Sequence, residues 1–150
     1  MINITSIRKD FQTLKIQENQ IKLLVEKAQT IKERAYVPYS HFPVGAAVLY
    51  KDDTIIQGVN VENVSFGATN CAERTALFTG IANGYSKEDI VAIAVSANTK
   101  DYITPCSICR QVMVELCQAD TPIYLTNGNN DIKEVTVDEL VPYAFSTLDN

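Results

Sequence analysis

Two short stretches hold most of the residues that could do chemistry. TNCAERTAL places Cys71, Glu73 and Arg74 almost side by side, and PCSIC places Cys106 and Cys109 three positions apart. Both stretches fall where an apolar helical pattern begins. A helix N-terminus carries roughly half a positive charge, which favours thiolate over thiol. Two thiols at such a position read in two ways, as a redox pair or as half of a zinc site. The first stretch breaks the tie, because it supplies a third thiol two residues before a carboxylate.

The joint pattern is C-x-E followed, about thirty-five residues later, by P-C-x-x-C. That is the three-cysteine form of the zinc signature of deaminases that act on nucleosides and nucleobases; either half alone is weak. Three protein ligands, Cys71, Cys106 and Cys109, leave one tetrahedral position open, as in catalytic rather than closed structural zinc sites. Zinc in such a site lowers the pKa of a water molecule towards neutrality. Glu73 is placed near the metal without having to bind it, where a carboxylate can move protons between water, a ring nitrogen and a leaving amine. Three thiolates carry surplus negative charge, and a guanidinium donating to sulfur would offset it. Arg74 is placed for this, and Arg110 competes with it. Cys117 lies about two turns beyond Cys109 among apolar neighbours, too far to complete a closed site, and reads as a small buried residue. His41, the single histidine, sits in a turn between prolines.

The elements that must position these residues follow from periodicity. Ile21, Leu24, Val25, Ala28 and Ile31 form one stripe, so a helix is expected over Glu18 to Ala35. VPYSHFP breaks the pattern. VGAAVLY is a strand buried on both faces, KDD a turn and TIIQGVNV the returning strand. A helix follows from NCAERTAL to a glycine stop at Asn83-Gly84. DIVAIAVSA is the third strand, and a helix runs from about Cys106 to Ala119. TPIYLTN and DIKEVTV are the last strands, and TVDELV is a short helix capped by Thr136 and ended by Pro142. This order predicts an α/β fold, a three-layer α-β-α sandwich with one mixed sheet of about five strands. Residues 1–17 are a leader of uncertain structure, and residues 18–150 form one catalytic domain.

The chain has 150 residues and a formal net charge of −5 at pH 7. That length suits one domain with a core of its own. The acidic balance disfavours a nucleic-acid polymer as partner but not a small neutral ligand. Neither a secretory signal nor a membrane-spanning run is visible, so the expectation is a cytoplasmic protein with no membrane partner. Four cysteines in such a chain point to metal or catalysis rather than disulfides.

With these motifs in place the chain resembles the small homotetrameric three-cysteine cytidine deaminases. The resemblance runs from about Ala35 to Phe145 and rests on AYVPYSHFPVGAA, GVNVEN, NCAERTAL, PCSICRQV and VPYAFS, in the family's order. It implies a hydrolase that converts cytidine and 2′-deoxycytidine to uridine and 2′-deoxyuridine with release of ammonia, in pyrimidine salvage, with one zinc ion per subunit. It also implies roles: Cys71, Cys106 and Cys109 hold zinc, Glu73 shuttles protons, and Arg74 donates to the ligand sulfurs. Asn60 and Glu62 hold the sugar 3′-hydroxyl, Phe42 packs against the pyrimidine, and Phe145 reaches a neighbouring subunit's site. Where the family commonly has a glycine and a small residue between the last two cysteines, this chain has Ser107 and Ile108. Ser107 would be strained if that position required positive φ, and Ile108 would add bulk near the metal.

Overall fold

The computed structural model describes residues 16–148. Its elements are helix α1 (Glu18–Ile31), strands β1 (Val44–Tyr50) and β2 (Ile55–Val59), helix α2 (Ala72–Ala82), strand β3 (Ile90–Ala97), helix α3 (Ser107–Leu116), strands β4 (Pro122–Thr126) and β5 (Ile132–Thr136), and helix α4 (Val137–Leu140). The strands form one five-stranded sheet in the order β2-β1-β3-β4-β5. Strands β3 and β4 run parallel, and the other neighbouring pairs run antiparallel. The expected mixed sheet is therefore present.

The central strands are buried on both faces, and the period-2 alternation of side chains sorts them into two cores. Ala47, Leu49, Ala92, Ala94 and Tyr124 point to one side, where they meet Ile21, Leu24, Val25 and Ala28 of α1. Ala46, Val48, Tyr50, Ile93, Val95, Ile123 and Leu125 point to the other, against α2, α3 and α4. That gives three layers. The small residues Ala47, Ala92 and Ala94 let α1 lie close to the sheet. Gly45 extends the same requirement, since a Cβ there would collide with the Ala28 carbonyl.

The ends of the elements depart modestly from expectation. Helix α1 stops at Ile31 and tightens into a 3-10 turn over Lys32–Arg34 rather than running on to Ala35. Helix α2 ends as expected, with Gly84 in the left-handed region at φ 91°. Helix α3 stops at Leu116, short of Ala119, because the backbone of Cys117 is already extended. Thr136 caps α4: its amide donates to Glu139 Oε2 at 3.0 Å. Residues 1–15 of the leader lie outside the described residues. Among those described, no helix is long and apolar enough to cross a membrane.

Candidate metal centre and active site

Three loop segments meet at one end of the sheet through paired backbone hydrogen bonds. Val61 and Asn70 exchange bonds of 2.9 and 3.0 Å. The Tyr36 amide donates to the Asn60 carbonyl at 3.0 Å, and the Glu62 amide donates to the Tyr36 carbonyl at 2.8 Å. The stretch 60–62 thus stands between the loop that carries Phe42 and the chain that enters α2 at Cys71. Thr75 fastens the junction. Its hydroxyl oxygen lies 3.0 Å from the Val59 carbonyl and 3.1 Å from the Cys71 carbonyl, and it accepts from Asn70 Nδ2 at 3.1 Å. Gly58 lets α2 settle on β2, since a Cβ there would strike the Ala72 carbonyl and the Ala76 amide.

Cys71 is the N-cap of α2 and Cys106 the N-cap of α3, so two positive helix ends converge on the sulfurs. The Cys109 amide reaches back to Cys106 Sγ at 3.5 Å. The sulfurs of Cys71, Cys106 and Cys109 lie within 4.8 Å of one another, and those of Cys71 and Cys106 are 3.7 Å apart. Ligands about 2.3 Å from a tetrahedral zinc ion stand about 3.8 Å from each other. The three thiols therefore fit one zinc ion. Cys117 is buried beneath the sheet and is no member of this group.

Arg74 Nη2 donates to Cys71 Sγ at 3.2 Å. Arg110, the competing candidate, points elsewhere: its Nε donates to the Pro105 carbonyl at 2.8 Å and its Nη1 to the Leu140 carbonyl at 3.1 Å. Hydrogen bonding from the Cys109 thiol, joined by the Arg74 guanidinium, holds the Cys71 thiol well below its ordinary range against the opposing effect of burial. Glu73 is 4% exposed. Its Oε2 lies 3.8 Å from Cys109 Sγ. Burial pushes the Glu73 carboxyl up to about 7, and negative charge at Cys71 acts in the same direction. A buried carboxyl of that proton affinity, beside the Cys109 sulfur, is suited to both taking and giving a proton near neutrality.

Ser107 is the first helical residue of α3 and is absent from the left-handed region of backbone space, so the strain considered for it does not arise. Ile108 is 61% exposed and projects outward. Asn60 and Glu62 are half-buried and bonded to the Phe42 loop. Phe42 is 40% exposed and Phe145 67% exposed, with the Phe145 carbonyl accepting from Gln111 Nε2 at 2.9 Å. Thr75 and Gln111 escaped the sequence reading. Thr75 had a signal, since it stands one helical turn after Cys71 and a threonine there can return to that carbonyl; Gln111 had none. A cavity of about 700 Å³ opens at the opposite end of the sheet, beside Tyr50, Ile90, Pro122 and Thr136, and none of the candidate residues lines it.

An α-β-α sandwich that brings three cysteine thiols and a buried glutamate together at two helix N-termini defines a zinc hydrolase class of site. Residues 18–125 match the family described as the cytidine and deoxycytidylate deaminase zinc-binding region. The cytidine deaminase of Halalkalibacterium halodurans is 56% identical over 128 residues, 85% of this chain and 96% of that protein. That of Sporosarcina psychrophila is 47% identical over 129 residues, 86% of this chain and 93% of that protein. The crystal structure of cytidine deaminase from Burkholderia pseudomallei superposes with a TM-score of 0.81 at 44% identity, covering 87% of this chain and 100% of that one. The chain belongs to the cytidine and deoxycytidylate deaminase family.

Proposed function

We propose that this protein hydrolyses cytidine and 2′-deoxycytidine to uridine and 2′-deoxyuridine, releasing ammonia. One observation carries the reading: the buried Glu73 carboxylate faces the converged sulfurs of Cys71, Cys106 and Cys109, with Oε2 3.8 Å from Cys109 Sγ. Those three cysteines hold one zinc ion per subunit. When bound, zinc supplies the Lewis acidity that makes water a nucleophile at neutral pH. Glu73 takes the proton of the attacking water and delivers it to N3 of the pyrimidine as the C4–O bond forms. A second proton passes through Glu73 to the amine as the C4–N bond breaks, so water and cytidine give uridine and ammonia. Arg74 draws charge from the Cys71 sulfur. Phe42 packs on the base, and Asn60 and Glu62 hold the sugar 3′-hydroxyl, an arrangement that disfavours analogues lacking it.

The reading extends to a homotetramer that acts in the cytoplasm in pyrimidine salvage, with residues 18–150 as its catalytic domain. Exposed apolar side chains support an assembly: Val64 is 78% exposed, Phe66 79% and Phe145 67%. Phe145 then completes a neighbouring subunit's pocket.

The test is direct. Zinc-loaded protein is incubated with cytidine while loss of the cytosine absorbance and release of ammonia are followed. One ammonia per uridine is expected, and Glu73→Gln should keep the fold and the zinc while losing on the order of 10²–10⁴ in kcat. Near-normal turnover by zinc-loaded Glu73→Gln would sink the assignment. Sedimentation of the wild type and of Phe145→Ala tests the assembly, and a monomeric, fully active wild type would remove it from the reading.

A further inference from the structure

The loop carrying Phe42 is held largely by side chains of the 60–62 stretch. Both backbone polar groups of Phe42 are engaged: its amide donates to Ser40 Oγ at 3.1 Å, and its carbonyl accepts from Asn60 Nδ2 at 2.9 Å. Asn60 Oδ1 accepts from the Val44 amide at 2.9 Å, so one amide side chain clamps the backbone on both sides of Pro43. Glu62 Oε1 accepts from the amides of Tyr39 and Ser40 at 3.0 and 3.1 Å. The Ser40 hydroxyl beside that carboxylate also holds it ionised. Between these clamps His41 sits in the left-handed region at φ 55°. Such a backbone persists when its surroundings over-determine it. The loop's own backbone adds one tether at this point, from the His41 amide to the Val37 carbonyl at 3.0 Å.

We propose that Asn60 and Glu62 are positioning residues for Phe42, fixing where the aromatic ring stands before any ligand arrives. The inference deepens the proposed function, since it rests on Phe42 packing against the base. Each side chain has capacity left for a sugar hydroxyl: Asn60 keeps its second N–H, and the Glu62 carboxylate has about four acceptor sites, more than the Tyr39 and Ser40 groups use. The pair therefore couples the sugar end of the pocket to its base end. A residue that only grips the hydroxyl matters for substrates that have one. A residue that places Phe42 matters for substrates that lack it as well.

Two measurements on the zinc-loaded full chain test this. In the first, 4-fluorophenylalanine is incorporated and the Phe42 resonance is assigned by its loss in Phe42→Leu. In ligand-free protein this resonance should shift and broaden in Glu62→Ala and Asn60→Ala. It should return towards the wild-type position in Glu62→Gln, which keeps an oxygen to accept from Tyr39 and Ser40. Zinc content and the other fluorine resonances report whether each variant is folded. An unmoved Phe42 resonance in the folded alanine variants overturns the proposal, and this readout needs no substrate. In the second, the apparent inhibition constant of 2′,3′-dideoxycytidine against cytidine turnover should rise on the order of tenfold in Glu62→Ala, as misplacement of a binding group predicts. A constant equal to that of the wild type would leave hydroxyl contact as the whole role and overturn the proposal. If the wild type does not turn over cytidine, the proposed function fails while the fluorine result still decides the positioning.

Discussion

Arg74 Nη2 lies 3.2 Å from Cys71 Sγ, whereas Arg110, four residues past the other helix cap, is committed to the carbonyls of Pro105 and Leu140. The two arginines therefore have separable consequences. Arg74→Gln removes the guanidinium from the sulfurs and should lower zinc affinity or turnover by about 10–100-fold, as loss of a group bonded to a metal ligand does. Arg110→Ala should instead lower stability by roughly 1 kcal/mol, because the partly buried carbonyls of Pro105 and Leu140 lose their donor. Zinc titration and urea unfolding of both variants check this, and an exchange of the two phenotypes would refute it.

Removal of zinc should expose the thiols in a definite order. Cys106 is exposed and Cys71 half-buried, while Cys109 and Cys117 are buried. Cys106, which is exposed, and Cys71, which is held towards thiolate, should react with a thiol reagent before Cys109, and Cys117 should react on unfolding. Zinc that binds the folded state alone also raises its stability with free metal concentration, about 1.4 kcal/mol per tenfold excess over Kd. A melting temperature that ignores added zinc would contradict a site built from these sulfurs.

Gly58 carries the start of α2. Gly58→Ala forces a Cβ into the Ala72 carbonyl and the Ala76 amide, displacing the turn that holds Cys71 and Glu73. The expected cost is about 1–3 kcal/mol of stability with weakened zinc binding. Gly67 is the control, because nothing lies within 4 Å of a Cβ built there. Gly67→Ala should be near neutral in both measurements.

Burial pushes the Cys117 thiol from 9.0 up to about 12. The folded state therefore binds this proton more tightly than the unfolded chain does, and unfolding releases it above pH 9. The stability it contributes is fully present below pH 9 and is lost as pH rises towards about 12. Urea unfolding at pH 8 and pH 11 should show the stability difference between wild type and Cys117→Ala shrinking at the higher pH. Tyr50, pushed by burial from 10.0 to about 12, leaves a residual slope in the variant. A difference that grows with pH would contradict the burial argument.

Much of the fold was legible in the sequence because its signals are local. The stripe from Ile21 to Ala28, the unbroken apolar run of β1 and the glycine stop at Gly84 each depend on neighbours within a turn or two. The Cys71-x-Glu73 and Cys106-x-x-Cys109 spacings likewise follow from their own helix starts. The short 3-10 tightening after Ile31 and the early end of α3 carry no local signal, because the chain leaves these helices before its propensity changes.

What only the tertiary structure decided lies between residues far apart in the chain. The order β2-β1-β3-β4-β5 places β1 and β3 side by side across an intervening strand and helix, which no periodicity encodes. Spacing favours Arg74 over Arg110 without removing the competitor; what removes it is that the end of α4 comes within reach of Arg110 and satisfies it. Ser107 would be strained were positive φ required there, and its place as the first residue of a helix removes that condition. The grip of Asn60 and Glu62 on the Phe42 loop spans about twenty residues and exists once the backbones of Tyr36, Val61 and Asn70 have paired. The sequence by itself determined the donor atoms and the elements that carry them. Tertiary packing decided which donors meet, because a hydrogen bond needs its partner within about 3 Å and folding alone brings distant segments that close.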